Sequence, residues 1–150
     1  MNSENRIYDT FNEVLVKLFN DIMHIEEKAI ITDDFKDISN NDMHIIEAIG
    51  ITEPKNMSQV AKSLSVTVGT LTIAINNLVK KGYVDRVRSE KDRRVVYISL
   101  SEKGRKAYEH HAKFHREMIQ ATVNGLSTEE VNVLVKSLEN LVGFFRDWQH

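Results

Sequence analysis

The sequence predicts a mainly helical fold with one small β hairpin, a mixed α and β class arranged as a winged helix-turn-helix. Three observations support this prediction. Long stretches at both ends place apolar residues at three- and four-residue steps, the period of a helix packed on one side. Two short segments in the centre each begin with a helix-capping residue. An alternating, β-branched stretch follows them and is interrupted by the charged run SEKDRR.

The N-terminal part predicts two helices. The first runs from about Glu4 to Ile30, and the stretch 32–38 breaks its pattern. Ser39 or Asn40 caps the second helix, and Gly50 ends it. The apolar stripe of the first helix consists of Phe11, Leu15, Leu18, Ile22 and Ile25.

The central part predicts the helix-turn-helix. Asn56 caps a third helix, and Gln59 completes a capping box with it. Thr67 caps a fourth helix that runs to Lys81 and ends at Gly82. A helix pair joined by a tight turn and followed by a basic hairpin is the winged form of this motif, whose second helix enters the major groove of DNA.

The hairpin is basic, although the whole chain has a net charge of -2. Its strands are predicted at 83–88 and 95–100. Between Lys80 and Lys106, ten Lys or Arg residues stand against four acidic ones, so this segment carries +6 and the remainder carries -8. Nucleic acid responds to local fields rather than to totals, so we expect a double-stranded DNA operator as the partner.

The C-terminal part predicts two further helices. Ser101 caps the fifth, at about 102–124, and a capping box of Ser127 and Glu130 opens the sixth, which reaches Trp148. Their stripes, with that of the first helix, exceed what a small central unit can cover. We therefore expect a homodimer built from these helices. The alternative is that the stripes pack within one bundle.

Residues 1–150 are expected to form a single domain. Its DNA-binding winged helix lies at about 39–100, and its dimerisation helices lie at about 4–31 and 102–148.

Composition excludes several classes of protein. The chain has no cysteine, so disulfides, thiolate metal sites and thiol redox sensing are excluded. It has no apolar run of membrane-spanning length, and its N-terminus lacks the build of a signal peptide, so we expect a cytoplasmic protein. Glycine-rich phosphate loops, nucleophile elbows and H-E-x-x-H motifs are absent, so we expect neither an enzyme nor a cofactor.

The fourth helix and the hairpin carry residue types that contact DNA. Short polar side chains bond phosphates and base edges, Val68 can touch a thymine methyl, and Gly69 allows close approach of the backbone. Arg93 and Arg94 suit insertion into a narrow minor groove, with Asp92 orienting one of them. Taken alone, SEKDRR would more often be a solvated loop, and Thr67 an ordinary cap. The predicted DNA-binding residues are Gln59, Thr67, Val68, Gly69, Thr70, Thr72, Asn76, Arg86, Arg88, Ser89, Lys91, Asp92, Arg93 and Arg94.

The hairpin carries a family motif. Asp92 and Arg94 form a D-x-R element, and Leu100, Ser101 and Gly104 match the L-[TS]-x-x-G that follows it. The chain thus resembles the MarR family of transcriptional regulators along its whole length. This resemblance implies a dimeric winged helix with helices from both chain ends in the interface.

A finer resemblance is to MarR-type repressors of bacterial fatty-acid synthesis genes. It implies that long-chain acyl-acyl carrier protein acts as a corepressor and strengthens binding to a palindromic operator. The alternatives are a MarR-type repressor released by a small phenolic or drug-like ligand, and a metal-responsive regulator. The segments that carry the resemblance are IEE at 25–27, FKDIS at 35–39, MHII at 43–46 with Gly50, VTVGTLT at 66–72, NNL at 76–78 and RSEKDRRVV at 88–96.

Two groups of residues are candidates for an effector site. His110, His111 and His115 include a pair one helical turn apart, which can chelate zinc, but no cysteine or matched carboxylate pattern accompanies them. We expect no metal there, with His111 facing the core and His110 facing solvent. An apolar acyl pocket between the first, second and fifth helices, or else plain core, is predicted from Ile22, Ile25, Phe35, Ile38, Met43, Ile46 and Phe114.

Overall fold

The computed structural model describes residues 3–30 and 34–148 and confirms the mainly helical winged helix-turn-helix. Some features of the sequence analysis lie outside the described residues. They are residue 31, at the predicted end of the first dimerisation helix, loop residues 32 and 33, and the side chains of Glu26 and Glu27. The elements are α1 Ser3–Asn12, α2 Phe19–Ile30, α3 Asn40–Ile49, β1 Lys55–Asn56, α4 Met57–Ser63, α5 Val68–Lys80, β2 Val84–Arg88, β3 Val96–Leu100, α6 Glu102–Val123 and α7 Thr128–Trp148.

The predicted first helix is helical throughout its described length, but it is not uniform. A π-helical segment, Glu13–Leu18, separates α1 from α2. A π turn adds a residue to the α-helical repeat, so it rotates the apolar stripe of α2 relative to that of α1. Periodicity alone did not reveal this break. The stripe residues Phe11, Leu15 and Ile25 are exposed in the single chain.

The chain divides into two compact units, one up to Lys113 and one from Phe114. The first holds the described core, which gathers side chains from α3, α4, α5 and the sheet, with Tyr83, Ile46, Ile75 and Ile98 fully buried. In the second, Ser127 and Glu130 form the predicted capping box of α7. No helix in the described ranges is long and apolar enough to span a bilayer.

Polar residues begin α3 and the first helix of the helix-turn-helix, α4, as predicted. Ser39 caps α3, and its Oγ accepts a hydrogen bond from the Asp42 N–H at 3.0 Å, while the Asp42 carboxylate closes the box on the Ser39 N–H. Asn56 and Gln59 form the second box, on α4. These boxes satisfy N–H groups that a helix start leaves unpaired. They therefore set where α3 and α4 begin.

The predicted hairpin forms, and a third strand joins it. β2 pairs with β3 in antiparallel register, with Val84 opposite Leu100. β1 pairs with the other edge of β3, placing Lys55 opposite Ile98. A two-residue strand is too short to leave an alternating pattern in the sequence, so only the structure reveals it. It ties the start of α4 to the hairpin.

A close backbone contact joins α6 to the start of the hairpin. The Ser101 N–H donates to the Tyr83 carbonyl at 3.0 Å, and Ser101 Oγ caps α6 by accepting from the Gly104 N–H at 3.1 Å. A Cβ atom on Gly104 would lie 2.1 Å from the Tyr83 carbonyl oxygen. The glycine of the L-[TS]-x-x-G motif is therefore required by packing.

The Tyr83 side chain joins the same junction to the segment before α3. Its hydroxyl donates to Asp37 Oδ1 at 2.6 Å. This hydrogen bond lowers the pKa of the Asp37 carboxyl, while burial and the nearby carboxylate raise the pKa of Tyr83. Lys81 adds a second link, since its Nζ donates to the Asp37 carbonyl at 2.6 Å and to Asp42 Oδ2 at 3.0 Å.

We expect Gly104→Ala to lower the free energy of unfolding by about 3 kcal/mol, because the new methyl group clashes with backbone that cannot move independently. Chemical denaturation measures this loss. Gly69→Ala is the matched control: its Cβ would meet only Thr67 Oγ1, at 4.0 Å, and alanine favours the helix. Equal stabilities for the two variants would contradict the packing role of Gly104.

Tyr83→Phe is expected to lower the free energy of unfolding by about 1 kcal/mol near neutral pH, since it removes one hydrogen bond to an exposed carboxylate. In the folded protein the pKa of the Asp37 carboxyl lies below its ordinary value of 3.8. The contribution is therefore complete above that pH and is lost as pH falls through the folded pKa. Denaturation curves of both proteins from pH 7 to pH 2 should converge in acid. Tyr97→Phe, on the exposed sheet face, should show no such pH-dependent difference.

Candidate nucleic-acid interface

The outer face of α5 is the first part of the interface. Leu71, Ile75 and Leu78 bury the opposite face, so the helix is held on one side and exposed on the other. Of the predicted contact residues on this segment, Thr72 is half-buried. The exposed ones are Thr67, Val68, Gly69, Thr70 and Asn76.

The threonine hydroxyls already hold partners within the helix. Thr67 Oγ1 accepts from the Thr70 N–H at 3.1 Å and donates to Thr70 Oγ1 at 2.9 Å. Thr72 Oγ1 donates to the Val68 carbonyl at 2.7 Å. Thr67 is thus the predicted cap of α5. The Thr67 and Thr72 hydroxyls keep acceptor lone pairs, and contact of these threonines with DNA stays a prediction.

Gln59 lies at the start of α4 and is exposed. Its side-chain oxygen accepts from the Asn56 N–H at 3.1 Å in the capping box. The side-chain amide NH₂ of Gln59 is the group that remains suited to a phosphate oxygen. The DNA-binding role of Gln59 stays a prediction.

A hydrogen bond connects the wing to α5. Arg86 Nη1, on β2, donates to Asn76 Oδ1, on the outer face of α5. Asn76 therefore presents its amide donors outward. The same contact anchors the Arg86 guanidinium next to the helix that the fold offers to the major groove.

The tip of the wing is ordered by its own side chains. Asp92 Oδ1 accepts from both the backbone N–H and the Nε of Arg94, at 3.0 Å each, and Asp92 Oδ2 accepts from Arg94 Nη2 at 3.2 Å. Because Asp92 accepts these bonds, the pKa of its carboxyl lies below its usual value. The predicted orienting role of Asp92 is geometrically met, and Arg94 extends 91% exposed.

The Asp92–Arg94 pair forms a fork at the tip of the wing, which is the β2–β3 hairpin with its loop. The remaining wing residues surround this fork. Arg88 Nη1 donates to the Arg93 carbonyl at 2.8 Å, which braces the loop from the β2 strand. Ser89 closes the loop through its N–H to the Val95 carbonyl at 2.8 Å. Arg93 and Lys91 are exposed beside the fork. The wing therefore presents several cations on a rigid loop.

Three exposed residues of α5 were missing from the predicted set, namely Ile73, Asn77 and Lys80. Ile73 lies between Gly69 and Asn76 on the outer face of α5 and is 68% exposed. The predicted set favoured polar side chains, and Ile73 is apolar. Counting the helical repeat from the buried Leu71 and Ile75 would have placed it outward.

The predicted acyl-pocket residues divide by burial. Phe35, Ile38, Met43 and Ile46 belong to the core. Ile22 and Phe114 are half-buried, and Ile25 is 54% exposed. Phe35 also lines a cleft of about 600 Å³ with Gly82, Lys103 and Lys106. A pocket for an acyl chain stays a prediction.

The histidines take the positions expected of them. His111 is buried, and its Nε2 lies 2.7 Å from Glu47 Oε1. His44 lies 3.7 Å from the other oxygen of the same carboxylate. His110 is exposed, with its ring 5.7 Å from that of Phe35. The sequence did not indicate Glu47, since it comes from a different helix.

Comparison with known proteins agrees with this geometry. The family profile described as "Transcriptional regulator SarA/Rot" matches residues 28–111. The HTH-type transcriptional regulator SarZ of Staphylococcus epidermidis is 30% identical over 138 residues, covering 87% of this chain and 90% of SarZ. PchR of Bacillus subtilis, also an HTH-type transcriptional regulator, is 24% identical over 149 residues, covering 89% of this chain and 88% of PchR.

Among solved structures, Streptococcus pneumoniae FabT in complex with DNA is similar. The two chains are 45% identical with a TM-score of 0.83, and the match covers 94% of this chain and 99% of FabT. These relatives are transcriptional regulators, in agreement with the prediction that the chain is not an enzyme. The chain therefore belongs to the MarR and SarA/Rot group of DNA-binding, winged-helix transcriptional regulators.

Proposed function

We propose that this protein is a repressor of bacterial fatty-acid synthesis genes. It binds a palindromic operator as a homodimer, and long-chain acyl-acyl carrier protein is its corepressor. Residues 39–100 contact DNA, and the helices on either side of this segment form the dimer. The Asp92–Arg94 fork at the tip of the wing is the observation that carries the DNA-binding part.

The fork supports minor-groove binding for an electrostatic reason. A narrow minor groove concentrates negative potential and attracts an inserted guanidinium. Asp92 holds Arg94 in one orientation before DNA arrives, so less side-chain entropy is lost on binding. The neighbouring cations of the wing add contacts to phosphates.

Exposed apolar faces support the homodimer. In the first unit, α1 exposes Ile7 and Phe11. In the second unit, α7 exposes Leu138, Val142 and Phe145, each more than half. Apolar surface of this extent is usually covered by a partner, and a second copy of the chain is the simplest one. A two-fold dimer places two α5 helices about one DNA turn apart on a palindrome.

The lipid-gene role rests on similarity. The relation to FabT at 45% identity extends over nearly the whole chain. The segments that resemble fatty-acid repressors include the cap and the centre of α3 and the whole first turn of α5. The DNA binding of this regulator then responds to a signal that reports the supply of lipid precursors.

We expect Arg94→Ala to weaken operator binding at least tenfold while the dimer remains intact. The variant removes the guanidinium from the minor groove. It also removes one cation that contacts DNA, so binding depends less steeply on salt concentration. Fluorescence anisotropy at several salt concentrations measures both effects, and sedimentation measures the dimer. Arg116→Ala is the charge-matched control, since Arg116 is exposed on α6 and outside the hairpin segment. Undiminished affinity of Arg94→Ala would exclude the minor-groove role.

The corepressor is tested on promoter DNA of the organism's fatty-acid synthesis genes. We expect long-chain acyl-acyl carrier protein to tighten binding several-fold, because a ligand that prefers the DNA-binding conformation shifts the population toward it. Holo-acyl carrier protein without an acyl chain is the control.

Two other outcomes would replace this proposal. Unchanged affinity with the long-chain form would remove the corepressor. Release of the DNA by a phenolic compound or a divalent metal would then assign the protein to the alternative class of regulator.

A further inference from the structure

The outer face of α5 has an isoleucine at its centre. By the 3.6-residue repeat, Gly69, Ile73, Asn76 and Lys80 form one stripe, and the buried residues form the opposite one. All four members of the outer stripe are exposed, and Ile73 is 68% exposed. A single exposed apolar residue is common on protein surfaces. Here its position is unusual, because this stripe is the face that a winged helix offers to the major groove.

The residues around Ile73 limit what this face can recognise. α5 has no Lys or Arg before Lys80, its last residue, so its first three turns lack the side chains that pair bidentately with guanine. Thr72 directs its hydroxyl proton to the Val68 carbonyl at 2.7 Å. Ile73 is the one apolar side chain of this stripe, and the polar residues Thr70 and Asn77 flank it.

The Asn76 amide is restricted as well. Bidentate recognition of adenine needs both the oxygen and the nitrogen of an asparagine amide. Arg86 Nη1 donates to Asn76 Oδ1, so one lone pair of that oxygen is used and the wing sets the orientation of the amide. One turn before Ile73, Gly69 has no side chain and allows the helix to approach the bases closely. Ile73 is consequently the longest apolar group on the closest part of the face.

We propose that Ile73 is a specificity-determining residue that recognises thymine through its C5-methyl group in the major groove. This methyl is the one apolar group that a base pair displays there, and it distinguishes A·T from G·C pairs. The inference rests on the proposed entry of α5 into the major groove. It assigns the central recognition to Ile73, whereas Val68 lies toward the side of the helix.

The test removes the methyl group and nothing else. A preferred duplex is first selected from a random DNA library with the full-length wild-type protein. Each thymine of one half-site is then replaced by deoxyuridine, which keeps every hydrogen-bonding group and lacks the methyl. We expect one or two positions at which the substitution weakens wild-type binding about three- to five-fold. This factor corresponds to the burial free energy of one methyl group.

The variant Ile73→Ala completes a double-mutant cycle. It should bind the thymine duplex less tightly than wild type and should be indifferent to deoxyuridine at those positions. Ile119→Ala is the matched control, since Ile119 is 56% exposed on α6. It should keep the wild-type sensitivity. Thermal unfolding verifies that both variants fold.

The outcomes separate this inference from the proposed function. Sequence-specific binding that ignores deoxyuridine, or that is equally sensitive in wild type and Ile73→Ala, overturns the role of Ile73 and leaves the repressor proposal standing. A library selection that yields no preferred sequence overturns both. Coupling between Ile73 and one thymine methyl establishes the inference.

Discussion

Tyr83 holds together the elements on which DNA binding depends. Its N–H donates to the Leu78 carbonyl at 2.9 Å, its carbonyl accepts from Ser101, and its hydroxyl bonds Asp37. The Lys103 ammonium lies 4.4 Å from the centre of its ring. One fully buried residue thus joins the end of α5, the start of β2, the first turn of α6 and the segment before α3. The glycine at position 104 is what allows α6 to approach the Tyr83 carbonyl.

This junction has a mechanical consequence. α5 ends and the wing begins at the Tyr83 junction. The Arg86–Asn76 hydrogen bond connects the two again farther out. β1 attaches the start of α4 to the same sheet. α5 and the wing therefore form one rigid candidate surface for DNA, because a change in their relative position would break buried packing. A signal that alters operator affinity acts most simply on the spacing between two such surfaces in a dimer.

The two parts of the proposed interface differ in their chemistry. The wing carries charge on an ordered loop, which suits contacts that depend on electrostatic potential and groove width. The outer face of α5 carries few charges, and its proposed contact through Ile73 depends on the methyl groups of the bases. In this proposal, affinity and specificity belong to separate segments of the chain.

The sequence by itself determined the helix-turn-helix, the hairpin and the caps at Asn56, Thr67 and Ser127, because these depend on local hydrogen bonding and short periodicities. It left Ser39 and Asn40 as alternatives for the cap of α3, and the structure selects Ser39. The sequence also indicated the Asp92–Arg94 pair, whose members are two residues apart. Only the tertiary structure decided the third strand, the Tyr83 junction, the Arg86–Asn76 link and the pairing of His111 with Glu47. Each joins residues distant in sequence, so chain folding alone sets their distance. The outward position of Ile73 falls between the two cases: the repeat of α5 predicts it once the buried face is known.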